Sequence, residues 1–337
     1  MTRVTINEIA RISGVSKSSV SFALNGRPGV SEVTRQRILD VAAGLGWAPN
    51  RTARLLSGMR TDAFGLVLGR DAKTLASEPF YMEFLAGIES VLSARSYALL
   101  LQVCAEMDDE LEIYRRWSSE RRVDAVVVVD LRMHDPRIEL LHQLDLPAVF
   151  VGNPTMTGGF TTVWTDDTTA MHEAVGHLVS LGHIRIARVS GLGDLSHVHL
   201  RNQAFDDAMA EHGLQGRIVL ADFSAEGGRS ATRALVLGPE PPTAILFDND
   251  VMAISSLSAM TEVGIVVPDQ VSLLAWDDSA LCEITHPKLS AMSRDVVGLG
   301  VHVGQRLFAL LEGEPPAAHF DSKPTFKGRG STGPPPA

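Results

Sequence analysis

Cysteine is scarce in this chain of 337 residues: Cys104 and Cys282 stand far apart, with no metal-ligand spacing around either. That excludes a disulfide scaffold and a thiolate metal site, and it fits quiet thiols in a reducing cytoplasm. Long apolar runs are also missing. No stretch of eighteen or more apolar residues occurs, so no membrane-spanning helix and no membrane partner is expected. The opening residues, MTRVTINEIARISG, hold neither an apolar signal core nor a small-residue cleavage site. Enzyme signatures are absent too. There is no G-x-S-x-G, no G-x-x-x-x-G-K-[ST] and no H-E-x-x-H, so neither an enzyme nor a cofactor is expected. Gly191-Leu192-Gly193 lacks the third glycine and later acid of a dinucleotide loop. His172 and His177 are five apart, a poor fit to one helix face, and with His183 they make a weak case for a metal.

What is present is unevenly charged. The net charge is −10, yet residues 1–60 hold nine basic side chains against three acidic ones, a local excess of +6. A basic head on an acidic body suggests that only the head meets a polyanion, the alternative being an arginine-rich solvated surface. At 45% hydrophobic and 21% charged, the rest suits a folded chain of two or three domains.

The head reads as three short helices. Thr5-Ile6-Asn7-Glu8 has the form of a capping box, followed by Ile6, Ile9, Ala10 and Ile12 at helical spacing, and Gly14 permits the left-handed stop. Ser16 starts a second helix with Val20, Ala23 and Leu24 inward, and Asn25-Gly26-Arg27-Pro28-Gly29 is a loop. Ser31 caps a third, through Leu45, with Val33, Ile38, Val41, Ala42 and Leu45 expected on one face. A tight glycine turn between the first two makes a helix-turn-helix. After it, Asn50 opens RTARLLSGM, about nine residues and therefore marginal as an isolated helix.

From Phe64 the pattern becomes strands alternating with helices: GLVLG, YALLLQVC, VDAVVVVD and PAVFVG, then IRIARVSG, RIVLADF, TAILFDN and VSLLAWDD. Such alternation implies parallel sheets covered on both faces, and the restart after PAVFVG implies two Rossmann-like lobes with a cleft between them. The helix VVGLGVHVGQRLFALLEG and a tail rich in Gly and Pro close the chain.

The stretch VTINEIARISGVSKSSVSFALNGRPGVSEVTRQRILDVAAGLGWAPNRTARLLSG resembles the headpiece of the LacI/GalR family of bacterial regulators. The likeness continues through PFYMEFLAGIE, HLVSLGHIRIA, AILFDNDVMA, VVPDQVSLLAWDD and RGSTG. It implies an all-α helix-turn-helix headpiece joined to an α/β two-lobed, periplasmic-binding-protein-like domain. The boundaries expected are 1–48 for the headpiece, 49–60 for a hinge helix and 61–330 for the effector-binding and dimerisation domain. Within the last, the N-lobe takes about 61–160 plus 292–321 and the C-lobe about 161–291 plus 322–330, leaving 331–337 as a tail.

The resemblance implies that the second helix enters the major groove. Lys17 and Ser18 would face base edges, with Phe22 either on a thymine methyl or packed within the headpiece. Thr5, Ser16, Ser21, Asn25, Ser31 and Thr34 sit where hydroxyls and backbone amides reach phosphates, although Ser16 and Ser31 also serve as caps. In the hinge, the resemblance implies that Leu56 wedges into the minor groove beside Asn50, Ala53 and Arg54, unstacking a base step. Leu56 at an interdomain contact is the alternative.

In two-lobed α/β proteins ligands sit outside the carboxyl ends of the strands. Those positions give Asn153, Phe223, Asn249, Trp276 and Asp277, with Phe80 and Tyr81 opening a helix, His197 in the loop DLSHVHL and Arg201 just after it. Carboxylates and amides for paired hydroxyls, with an aromatic face for C–H groups, make a sugar the expected effector. Asp277 with Arg201 as an interlobe ion pair, and Phe80 or Phe223 as core, are the competing roles. The expectation is a cytoplasmic, dimeric regulator, a repressor, of a palindromic double-stranded operator. The alternatives are a sugar-binding protein of this fold without DNA regulation and a regulator controlled by a protein partner.

Overall fold

The computed structural model describes residues 4–24, 27–47 and 60–336, which fall into two compact units, one up to Thr61 and one from Asp62 on. In the first, α1 (Ile6–Ser13), α2 (Lys17–Leu24) and α3 (Glu32–Gly44) close around Ile9, Val20, Ala23 and Ile38. Gly14 ends α1 at φ 68°, as its position predicts. Thr5 is the N-cap of α1, but its hydroxyl takes no capping bond. Ser16 and Ser31 do accept, from the amides of Ser19 (3.1 Å) and Thr34 (3.4 Å). Val33, expected inward, is 84% exposed. Five positions separate it from Ile38, about 140° around the helix, so it leaves the buried stripe at the first turn. Arg35 ties α3 to the end of α2, donating to the carbonyls of Ala23 (3.3 Å) and Arg27 (2.9 Å).

The second unit carries two six-stranded sheets. The first joins β1 (Ala63–Gly69), β2 (Ala98–Cys104), β3 (Ala125–Val128), β4 (Ala148–Val151), β5 (Thr161–Thr165) and β11 (Ala318–Ser322) in the order β11-β5-β4-β3-β1-β2. Every pair in it is parallel, and β1 and β3 are apolar on both faces, as a doubly covered sheet requires. The second sheet joins β6 (Ile186–Ser190), β7 (Arg217–Leu220), β8 (Ala244–Phe247), β9 (Ser272–Asp277), β10 (Ser290–Ser293) and β12 (Thr325–Lys327) in the order β12-β10-β9-β8-β6-β7, with only β12 antiparallel.

The first lobe packs α4 (Ala72–Ser77), α5 (Pro79–Ala94), α6 (Met107–Ser119) and α7 (Pro136–Gln143) on its sheet. The second packs α8 (Asp167–Ser180), α9 (Ser196–Glu211), α10 (Ala225–Val236) and α11 (Asp250–Glu262), with the short α12 (Leu281–Ile284) before β10. α13 (Val296–Leu311) then returns to the first lobe, lying against α5 at a contact only glycine permits. A Cβ on Gly87 would stand 2.1 Å from the Val297 carbonyl oxygen, and one on Gly300 would stand 2.2 Å from that of Phe84.

The chain thus passes between lobes three times, after β5, after β10 and after β11. The first crossing lies at 165–167, beyond the boundary near 160 expected from sequence, because Thr161–Thr165 pairs with β4 and β11 rather than joining the second lobe. The crossing near 292 falls after β10.

Candidate functional site

Between the lobes lies a cavity of about 290 Å³, built from the carboxyl ends of strands in both sheets. Arg70, Asp130, Gly152 and Asn153 follow β1, β3 and β4. Asp248 and Asp277 come at the ends of β8 and β9. Three of the side chains that line it stand on left-handed backbones that non-glycine residues avoid: Asp130 (φ 53°), Phe223 (φ 68°) and Asp277 (φ 80°). Strain of that kind persists where the surroundings hold a side chain in a required direction.

Charge in the cavity is paired. Arg70 Nε donates to Asp130 at 2.8 Å and to the Tyr81 hydroxyl at 3.1 Å, and that hydroxyl donates to Asp130 at 2.6 Å. Burial alone would raise the Asp130 carboxyl, but the Arg70 charge holds it down near about 2. Arg201 donates to Asp167 (2.7 Å) and to Asp248 (3.1 Å), and lies 4.5 Å over the Trp276 ring. Asp248 also accepts from Arg188 on β6 (2.6 Å) and from the Gly191 amide (2.7 Å), so its carboxyl sits well below the usual range despite complete burial. Asp277 is held by Arg294 at 2.6 Å, from the crossing after β10. His197 is driven down to about 4, first by burial and then by Arg201, and is neutral at physiological pH.

The lobes also touch directly. Ser196 N donates to the Leu131 carbonyl (2.7 Å), Met133 N to that of Asp194 (3.1 Å), and Arg132 pairs with Asp194 at 2.5 Å. Deeper in, Asn249 Nδ2 donates to Glu78 at 3.3 Å and to the Phe223 carbonyl at 3.0 Å. In the headpiece, Ser16, Lys17 and Ser18 lie exposed at the start of α2, and Phe22 is 38% exposed with its ring beside Gly29.

Residues 5–50 match the model of the bacterial regulatory proteins of the lacI family, and residues 175–332 match a periplasmic binding protein-like domain. The HTH-type transcriptional regulator AglR of Rhizobium meliloti is 34% identical over 82% of this chain and 78% of its own length. The chain belongs to the lacI family. A lacI family regulator from Bifidobacterium animalis subsp. lactis is 34% identical by structure comparison, with a TM-score of 0.76 over 82% of this chain and 99% of that one. The complex of the regulator CelR with cellobiose is 26% identical, with a TM-score of 0.74 over 98% of this chain and all of that one.

For this lacI family member, seven of the nine expected effector residues line the cavity: Phe80, Tyr81, Asn153, His197, Arg201, Phe223 and Asp277. Asn249 and Trp276 stand one layer behind, Asn249 capping α11 through Met252 N and Trp276 lying beneath Arg201. Phe223 is only 3% exposed. Arg70 lies 4.7 Å over its ring, and the ring leaves no room for a Cβ on Gly191, 2.0 Å away. The aromatic face expected beneath a sugar is therefore taken by a guanidinium at Phe223. Phe80 is covered in the same way, with Arg294 4.9 Å over its ring and Phe84 stacked on it at 5.8 Å, which leaves Trp164 as the half-buried aromatic of the lining. The Asn153 side-chain oxygen is committed to Thr155, accepting from its amide (2.9 Å) and hydroxyl (2.8 Å).

Arg70, Glu78, Asp130, Trp164, Asp167, Asp248 and Arg294 line the cavity without having been singled out. Arg70, Asp130 and Asp248 follow apolar strands, the same signal that marked Asp277. Nothing in the sequence points to Glu78 or Arg294. Asn25, Asn50, Ala53, Arg54 and Leu56 lie outside the described residues. The histidines weighed as a metal cluster go to separate partners: His172 to Glu211, His177 to the Phe326 ring, and His183 to Thr243 and the Gly333 carbonyl.

Proposed function

We propose that this chain is a repressor that binds a palindromic operator as a homodimer in the cytoplasm and is controlled by a sugar held in the cleft between its lobes. One observation carries the effector reading. The cavity brings carboxylates, guanidiniums and the half-buried indole of Trp164 to one interlobe space, a set suited to hydroxyls and a C–H face. The cellobiose complex of CelR is consistent with it. On the DNA side, Lys17 and Ser18 reach base edges from the start of α2, Phe22 meets a base methyl, and Thr5, Ser16, Ser21, Asn25, Ser31 and Thr34 position the headpiece on phosphates. The segment of Asn50, Ala53, Arg54 and Leu56 forms the minor-groove hinge, with Leu56 as its wedge.

Effector occupancy works by changing how the lobes meet, at Asp277, Arg201 and the contacts of Asp194 and Ser196. Two-fold protein symmetry calls for a two-fold operator. The test is a mobility shift of the full-length protein on the DNA upstream of its own gene, with and without a panel of neutral sugars. A sequence-specific shift that one sugar alters is expected. No preference over unrelated DNA, or no response to any sugar, contradicts the reading.

A further inference from the structure

Arg70 and Glu78 both line one corner of the interlobe cavity, each more than nine-tenths buried. Arg70 spends Nε on Asp130 and Tyr81, and Glu78 receives Asn249 on Oε1. Arg70 Nη1 and Glu78 Oε2 are left buried with no hydrogen-bond partner among the described residues. A buried donor and a buried acceptor that line the same cavity cost free energy until something fills both. The residue types say what fits. A hydroxyl accepts from a guanidinium and donates to a carboxylate at once, whereas a ring or ether oxygen only accepts.

The rest of the lining sets the ligand's charge. Arg70, Arg201 and Arg294 each already face a carboxylate, and the acids of the lining outnumber them. An anionic ligand would add a buried charge with no cation to meet it. We propose that Arg70 and Glu78 are specificity-determining residues that together bind one hydroxyl of an uncharged sugar, and that acidic or phosphorylated sugars are rejected.

The assignment rests on the cleft being the effector site. It gives that site a mechanical meaning, since Glu78 belongs to one lobe and its partner Asn249 to the other. A hydroxyl in this corner is bound at the point where the lobes join.

Calorimetry on the full-length protein tests this with glucose, galactose, ribose, maltose, cellobiose, sucrose and trehalose, beside glucuronate and glucose 6-phosphate. A neutral sugar should bind and the two acidic probes should not; an acidic probe binding as tightly as the neutral one overturns the charge assignment. Singly deoxygenated forms of the neutral binder then locate the hydroxyl. One of them should lose tenfold or more against wild type yet match the parent sugar within twofold in Glu78→Ala, while the other deoxy sugars keep their losses. If Glu78→Ala binds the parent unchanged, or weakens it but keeps every deoxy penalty, the residue does not touch the hydroxyl and the proposal falls. Glu78→Gln repeats the comparison should the alanine variant melt early, and it must blunt the same deoxy penalty. If no neutral sugar binds wild type, the effector reading itself fails, and the corner falls with it.

Discussion

Replacing Glu78 with glutamine should make the protein more stable at alkaline pH and change little at acid pH. Burial pushes the Glu78 carboxyl up from 4.5 to about 7, against the pull of Arg70 and with a further push from Asp130. Below about pH 4.5 the acid is protonated in the folded and unfolded chain alike. Between there and pH 7 the unfolded chain gives up its proton first, so stability drains away as pH rises and the loss is complete above about 7. A difference of that size, at about 1.4 kcal/mol per pH unit, is worth at most about 3.5 kcal/mol. Glutamine keeps the shape and cannot ionise, so it escapes the loss. Melts of both proteins followed by far-UV circular dichroism should diverge from about pH 5 to pH 8, reaching roughly 5–10 °C in favour of the variant. Other groups titrate in this window, among them Asp250, raised to about 6 by burial, and His197. They are present in both proteins and largely cancel in the difference. Parallel melting curves across the range would refute the burial argument for Glu78.

Gly300→Ala should cost about 3 kcal/mol or more, because its Cβ meets a backbone oxygen of α5 that has nowhere to go. An unchanged urea midpoint would show that α5 and α13 do not meet this way. Asp277→Ala should abolish the effect of the sugar on the mobility shift, since it removes a cleft carboxylate and leaves Arg294 without its partner; a normal response would remove Asp277 from the site. Lys17→Ala should weaken operator binding by about 1–3 kcal/mol and relax base preference at one position of each half-site, read by a shift series over operator variants. Equal affinity for every variant by both proteins would place Lys17 off the bases. Operator affinity of the wild type should fall at least tenfold between about 50 and 200 mM salt, and a flat salt profile would mean that the basic head does not meet phosphates.

The architecture was legible where local pattern and tertiary demand coincide. GLVLG, VDAVVVVD and TAILFDN are apolar throughout because they lie in the interior of parallel sheets, and they form β1, β3 and β8. Other strands lack that mark. Four of the five residues of Thr161–Thr165 are threonine or tryptophan, and β11 and β12 lie in a tail that reads as Gly- and Pro-rich coil. They are strands because a distant partner offers hydrogen bonds, and no local propensity announces that. Val33 failed for the converse reason, since an apolar residue near a helix start fits the 3.6 period without facing the core.

At the cleft, position after a strand was a sound guide and residue chemistry a poor one. Phe223 has the right type and place for stacking, yet Arg70 covers its ring. Trp164 stands nearer to that role, from a strand the sequence does not show. Arg188 carries the same lesson one layer deeper. It is a fully buried cation inside an apolar strand, which looks like an error until Asp248 is found 2.6 Å away, and Asp248 in turn receives Arg201. Losing Asp248 would leave the buried Arg188 charge without a counter-charge, and with Arg188 and Arg201 both on it the cleft carboxylate is held in one place. The orienting work is thus complete before a ligand arrives, and little entropy remains to be lost when it does. Such couplings join residues 60 positions apart. They are fixed by where two strands end side by side, which only the folded sheet reveals.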